Sequence, residues 1–297
     1  MTSHQGQPCV SGVNAVLTDA KNICSSLHLF SMAGRVAAIT GGHRGIGLEM
    51  ALAYAEAGAV VYCIDLPAQP DADFCTVQAR IAALPTAHGQ STQAHSTGRL
   101  EYVACDVTKQ KQVWDVMEQI AAKEGKLDVC IACAGILRGA EVLDYPGDEF
   151  QKIMEVNVNG VLFAAQGAGR MMVKHNVPGS IILIASMSGS IANKDMHWTA
   201  YNTSKAALIQ MARSIACELG PKKIRCNSIS PGYVYTEMTK AFLGVNPDLK
   251  EKWCSQNALG RLANPEEMCG AALFLGSDAS TFCTGSDLII DGGHRAW

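Results

Sequence analysis

The chain predicts an α/β fold: a doubly wound parallel sheet with helices on both faces. Three observations carry this. Short apolar, β-branched runs alternate with longer helical patterns along most of the chain. The first run leads at once into a glycine-rich loop that opens a helix, Thr40-Gly41-Gly42-His43-Arg44-Gly45-Ile46-Gly47. No internal repeat divides the 297 residues, so one domain over 33–297, preceded by an extension over 1–32, is the economical count.

Taken in order, 35–40 reads as a strand and 46–57 as an alanine-rich helix stopped by Gly58. A strand over 60–65, a helix around 74–84 and a strand over 100–105 follow. Residues 109–124 form a helix ended by Gly125, and 129–132 a strand. Segment 149–175 contains a long helix, 180–185 a strand and 200–219 a further helix. The last strands are 225–230 and 287–290, with a helix over 265–275 between them. Short apolar runs joined by helices are the signature of right-handed βαβ crossovers. Residues 85–98, rich in Gly, Ser, Thr and His, read as a surface insertion.

Apolar residues make up 48% and charged residues 17%, the balance of a globular enzyme. A net charge of −3 offers no electrostatic case for nucleic acid or an anionic membrane. No apolar run reaches bilayer length, and residues 1–30 lack the pattern of a secretory or transit leader, so a cytoplasmic location is expected. Most of the twelve cysteines sit in apolar stretches, where a thiol behaves as a small hydrophobe. Cys130 and Cys133 form a C-x-x-C, but in a strand-like run without a second pair or a helix start, which argues against a redox or metal motif. His88 and His95 lie in a polar loop without ligand-spaced partners, and no metal is expected.

Glycines between a first strand and a first helix allow a tight turn and close backbone approach to a pyrophosphate, and the helix N-terminus meets its charge. The loop therefore predicts a dinucleotide of the Rossmann type. Asp65 ends the second strand 18 residues beyond Gly47, where a carboxylate accepts from ribose hydroxyls and repels a 2′-phosphate. Arg44 points the other way, so NAD(H) is favoured while NADP(H) stays open. Asp106, ending the third strand, is placed to meet the adenine or to cap the helix before Lys109.

Tyr201 and Lys205 lie four apart, one turn along a helix face. A phenol beside an ammonium is expected to titrate below its usual pKa near ~10 and to exchange a proton with an alcohol or carbonyl.

Together the TGGHRGIG loop, Asp106-Val107, Ala134-Gly135, Val156-Asn157-Val158-Asn159-Gly160, Ser186, Tyr201-x-x-x-Lys205 and Pro231-Gly232 occur in an order that resembles the short-chain dehydrogenase/reductase family over about residues 33–297. Leu29–Met32, Ala185–Gly189 and the closing Asp291–Trp297 are similar to fungal polyol and ketose reductases of the arabinitol, mannitol and sorbose types. The resemblance implies a catalytic tetrad. Tyr201 would be the general acid/base and Lys205 its pKa-lowering partner, bonded to the nicotinamide ribose. Asn157 would hold a water linking Lys205 to solvent, its alternative role being a helix kink. Ser186 would polarise the substrate oxygen. It also implies cofactor contacts at Gly41, His43, Arg44, Gly45, Ile46, Gly47, Asp65, Asp106, Val107, Ala134 and Gly135, at Tyr201 and Lys205 themselves, and at Pro231, Gly232, Val234 and Thr236.

Ser188 lies at the commoner family interval from Tyr201, but Ser186 directly follows the strand and fits Ser-x-x-Gly through Gly189, so Ser186 is chosen. The family usually has asparagine where this chain has Ala132 and Cys133, which puts the bracing of the sheet end in doubt. Residues 190–199 and 233–257, with Met196, His197, Trp198, Tyr233, Tyr235, Met238, Phe242 and Trp253, are expected to border a small-molecule substrate. The expected reaction is reversible hydride transfer between NAD(P)(H) and a secondary alcohol or ketone, with a polyol or ketose as the first substrate class. A bulkier ketone of fungal secondary metabolism is the second, and a non-catalytic cofactor-binding protein a third reading. The resemblance further suggests a homotetramer or dimer built on helix faces in 149–175 and 200–219.

Overall fold

The computed structural model describes residues 12–18, 20, 23–84, 98–246 and 248–297. Its strands are β1 (Val36–Thr40), β2 (Val60–Asp65), β3 (Arg99–Ala104), β4 (Val129–Ala132), β5 (Gly179–Ile184), β6 (Ile224–Pro231) and β7 (Asp287–Ile290). Its α-helices are α1 (Val13–Leu17), α2 (Gly45–Glu56), α3 (Ala72–Ala82), α4 (Gln110–Glu124), α5 (Gly147–Met154), α6 (Gly160–Lys174), α7 (Thr199–Leu219), α8 (Glu237–Val245), α9 (Asp248–Ser255) and α10 (Cys269–Gly276).

The seven strands form one sheet in the order β3-β2-β1-β4-β5-β6-β7, and every pairing is parallel. That order reverses direction between β1 and β4, the point where this architecture opens a crevice at the strands' carboxyl ends. A sheet covered on both faces needs strands apolar on both sides, and β1, β4 and β5 are buried throughout. One core packs α4, α6 and α7 on one face, through residues such as Val116, Met172 and Leu208. The other packs α2, α3 and α10 through Met50, Phe74 and Leu275. Met32, inside the expected extension, is fully buried in this second core and its N–H donates to Ala57 O at 3.0 Å, so the packed unit begins before residue 33. His88, His95 and nearly all of the expected surface insertion (85–97) lie outside the described residues.

Two features depart from the sequence reading. The expected helix in 149–175 is α5 and α6 joined through a π-turn, Glu155–Asn159, with Asn157 at its centre. And 237–255, expected as a loop beside the substrate, folds into α8 and α9. Thr236 starts α8 with a capping box, its side chain accepting from Thr239 N–H while Thr239 Oγ1 accepts from Thr236 N–H. Among the described residues, no helix is long and apolar enough to cross a membrane. No group of three or more His, Cys, Asp or Glu side chains among them is arranged to hold a metal ion.

Candidate active site

The floor of the crevice is set by the glycine loop. Gly41 has φ +67°, and a Cβ there would sit 2.8 Å from the Ala134 backbone at the end of β4. At Gly47 a Cβ would lie 2.0 Å from Gly41 O, so α2 can start against the loop only without a side chain. Gly45 and Ile46 open α2, whose free N–H groups face the crevice end of the sheet. The opposite wall is 231–236. Pro231 ends β6, Gly232 N–H donates to Ile290 O (2.8 Å), and Val234 bridges to Ala263. The two walls approach closely: a Cβ on Gly45 would be 3.8 Å from Thr236 Cγ2.

The bracing put in doubt by Ala132 and Cys133 is supplied by Thr40, at the end of β1. Its Oγ1 accepts from the N–H groups of Cys133 (3.2 Å) and Ala134 (3.3 Å). A hydroxyl from β1 thus does the bracing that asparagine side chains would do.

At the adenosine end, Asp65 accepts from Leu66 N–H (2.8 Å) and, more weakly, from His43 N–H (3.3 Å), and it remains half-exposed. Arg44 is exposed. The His43 ring is buried beside Phe74 and Tyr102. Asp106 does not cap α4, whose first flanking residue, Lys109, has no side-chain cap. Instead one of its oxygens accepts from Thr108 N–H (2.9 Å) and Thr108 Oγ1 (2.8 Å), a local turn, and these bonds hold its carboxyl below the usual range against the opposing effect of burial. The Val107 side chain belongs to the core, where a Cβ on Gly160 would come within 3.0 Å of it.

The four residues expected to do chemistry converge where β4, β5 and α7 meet. Tyr201 and Lys205 share one face of α7, with Nζ 5.6 Å from the phenol ring centre. Lys205 is buried, and Nζ donates to Ile184 O at 2.7 Å, its one hydrogen bond among the described residues. Two of its three donors are left for a ligand. Ser186 lies beside Tyr201, close enough to draw its phenol down, and its Oγ donates to Pro231 O (3.5 Å). It is held at the end of β5 because its Oγ also accepts from Ser188 N–H (3.1 Å). Asn157 is fully buried and bonded on all sides. Its Oδ1 accepts from Ile136 N–H (2.8 Å), and its Nδ2 donates to Ile136 O (2.9 Å) and Ser204 Oγ (3.0 Å). Both amide donors are used, and Asn157 ties the chain after β4 to the helix of Lys205.

The electrostatics reverse one expectation. The phenol of Tyr201 lies above, not below, its ordinary value. Burial pushes it up to about 12, the neighbouring Ser186 hydroxyl draws it back in part, and the Cys133 thiol adds to the rise. The ammonium of Lys205 is turned to the Ile184 carbonyl, and burial lowers it to about 8. Desolvation therefore sets the direction of both shifts. In this geometry the phenol holds its proton at neutral pH.

Above Tyr201 stands an aromatic box. Trp198 lies 6.1 Å from Tyr201 and contacts Tyr233, Phe242 and Trp253 edge-on. Tyr233 stacks on Trp253 at 4.2 Å. Asn193 Nδ2 donates to the Tyr233 hydroxyl (3.0 Å), and a Lys252–Asp195 ion pair ties α9 to the loop before α7. Of the residues expected beside substrate, Trp198 and Trp253 are core to this box. His197 faces solvent against Glu141 (3.2 Å), and Tyr235 and Met238 are exposed.

A buried lysine with spare donors, a phenol beside a serine, and a glycine loop against a helix start fit a nicotinamide dinucleotide and a carbonyl. They define a Rossmann-type oxidoreductase. Residues 41–295 match the family described as enoyl-(acyl carrier protein) reductase. A sorbose reductase of Schizosaccharomyces pombe is 38% identical over 269 residues, covering 90% of this chain and 98% of that protein. A probable NADP-dependent mannitol dehydrogenase of Yarrowia lipolytica is 36% identical, covering 93% and 91%. The crystal structure of a short-chain type dehydrogenase/reductase from Mycobacterium marinum superposes with a TM-score of 0.82 at 39% identity, covering 92% of this chain and all of the other. The chain belongs to the short-chain dehydrogenase/reductase family and is closely related to fungal polyol and ketose reductases. It is an NAD(P)(H)-dependent oxidoreductase acting on secondary alcohols and ketones.

Proposed function

We propose that the chain reduces a hydroxylated ketone, a ketose or a close analogue, and oxidises the matching polyol, with Tyr201 as the proton donor and acceptor. The observation that carries the reading is Tyr201 on one face of α7 with a buried Lys205, whose Nζ lies 5.6 Å from the phenol ring centre and keeps two donors for a ligand. A bound dihydronicotinamide supplies the hydride, and its oxidised form takes one back. Ser186 and Tyr201 hold the carbonyl oxygen, and Tyr201 delivers its proton as the alkoxide develops. Lys205 directs its spare N–H donors to the ribose hydroxyls beside the nicotinamide. Gly41, Gly45, Ile46 and Gly47 line the pyrophosphate path, Asp106 meets the adenine, and Pro231, Gly232, Val234 and Thr236 border the carboxamide. A phenol that keeps its proton is prepared for reduction, so oxidation should gain more than reduction from alkaline pH.

Three polar atoms around Tyr233 favour a hydroxylated substrate. Asn193 Oδ1, Trp253 Nε1 and His294 Nδ1 are buried without a hydrogen-bond partner. The set mixes acceptors and a donor, as hydroxyl groups do, and a hydroxyl that reaches them recovers bonds that a purely apolar ketone leaves unmade. Asp65 favours NAD(H) over NADP(H). The protein is proposed to act in the cytoplasm, as a tetramer or dimer packed through the faces of α5–α6 and α7, with residues before the first buried segment as an extension. Ketopentoses, ketohexoses and bulky cyclic ketones, each assayed with NADH and with NADPH, test the substrate reading. Turnover of ketoses is expected to exceed that of cyclic ketones, and the reverse ranking defeats it.

A further inference from the structure

The five residues between Asp65 and Asp71, Leu66-Pro67-Ala68-Gln69-Pro70, connect β2 to α3. A substituent on the adenosine ribose has to pass this connection if the ribose meets Asp65. It is clasped from two sides. The Tyr102 hydroxyl donates to Pro67 O at 2.6 Å, and Asp71 N–H donates to His43 Nε2 at 3.0 Å. The His43 ring is fixed edge-on to Tyr102 (5.7 Å) and tilted against Phe74 (6.2 Å), and those two rings meet edge-on at 5.5 Å.

His43 therefore touches both carboxylate positions, Asp65 Oδ2 through its main-chain N–H (3.3 Å) and Asp71 through its ring. With Nε2 engaged by the 66–71 connection, the His43 ring is held at Asp71 and is not free to meet a phosphate. The Asp71 carboxylate is pinned too. Oδ1 caps α3 by accepting from Phe74 N–H (2.9 Å), and Oδ2 lies 3.2 Å from His43 Nε2. The cap bond is the main reason its carboxyl sits below the usual range, with His43 and Arg44 adding to the effect. Arg44, the residue that argued for a 2′-phosphate, thus has a fixed carboxylate to answer it.

We propose that His43 and Asp71 form a coenzyme-selecting clasp: His43 fixes the 66–71 connection so that Asp71 stands with Asp65 as a second carboxylate against a 2′-phosphate. His43 is a positioning residue in this scheme, and Asp71 is the specificity determinant. The proposal rests on the reading that the adenosine ribose meets Asp65.

The test is titration of the purified protein with NADH and NADPH, followed by nicotinamide fluorescence, in the wild type, Asp71→Asn, Asp65→Asn, His43→Phe and His43→Gln. Asparagine caps a helix about as well as aspartate, so Asp71→Asn removes charge and keeps the cap. It is expected to shift the ratio of the two dissociation constants toward NADPH by about three- to tenfold at low salt, with the shift shrinking as salt rises. His43→Phe should shift the ratio the same way, and His43→Gln, whose side-chain oxygen can again accept from Asp71 N–H, should return it toward the wild-type value. An unchanged ratio in Asp71→Asn, alongside a shifted one in Asp65→Asn, overturns the clasp alone. So does equal weakening of both dinucleotides in His43→Phe without rescue in His43→Gln. An unchanged ratio in Asp65→Asn overturns the placement of the ribose itself.

Discussion

Asn157→Ala probes the bracket that joins the end of β4 to α7. The substitution removes three hydrogen bonds, two to the Ile136 main chain and one to Ser204 Oγ. It leaves the N–H and C=O of Ile136 to find new partners in a half-buried trough. At a net value of about 1–1.5 kcal/mol per bond, the loss is roughly 3–4 kcal/mol. For a domain of this size about 1 kcal/mol lowers Tm by ~2–4 °C, so melting should fall by about 10 °C. Asn157→Asp is expected to be at least as damaging, because a carboxylate oxygen would replace the amide that donates to Ile136 O. Ile136 follows Gly135 and Ser204 precedes Lys205, so kcat should fall along with Tm. Circular-dichroism melting and steady-state assays of both variants check this. A Tm within 2 °C of wild type for Asn157→Ala would refute the bracket.

The two serines separate cleanly. Ser186→Ala should lower kcat about a hundredfold, by removing the hydroxyl that meets Tyr201, whereas Ser188→Ala should stay within a few-fold, and a larger loss at Ser188 would reverse the assignment. Lys205, lowered to about 8 in the fold, titrates near ~10.4 when unfolded. Between those values the unfolded chain binds more protons, so this residue makes unfolding harder as pH rises from about 8 to about 10.4. The Tm of the ligand-free wild type should therefore rise relative to Lys205→Met across that window, and a difference independent of pH would show that the burial cost has been misjudged.

What the sequence revealed, and what it concealed, follows from the range of the forces involved. The strands and the glycine loop were legible because their signals are local: apolar runs, then glycines where Gly41 and Gly47 leave no room for a Cβ. The bracing by Thr40 was missed because its hydroxyl acts on Cys133 and Ala134 across the sheet, a contact no local pattern encodes. Helices α8 and α9 were hidden for the same reason, since Trp253 and Phe242 find their partners at Trp198 and Tyr233. The bonds of Asn157 were concealed because its amide meets Ile136 and Ser204, 21 and 47 residues away along the chain. Spacing placed Tyr201 beside Lys205, yet the sign of the Tyr201 shift depends on burial, which only the assembled fold sets.

The central claim is that Tyr201 moves the proton while other residues hold the dinucleotide. Tyr201→Phe, titrated with NADH and then assayed with the best ketose of the panel, tests it directly. Dinucleotide affinity is expected to stay within about threefold, while kcat falls by about a thousandfold or more, as loss of a general acid does. A variant that binds NADH normally and keeps kcat within tenfold of wild type would contradict the account.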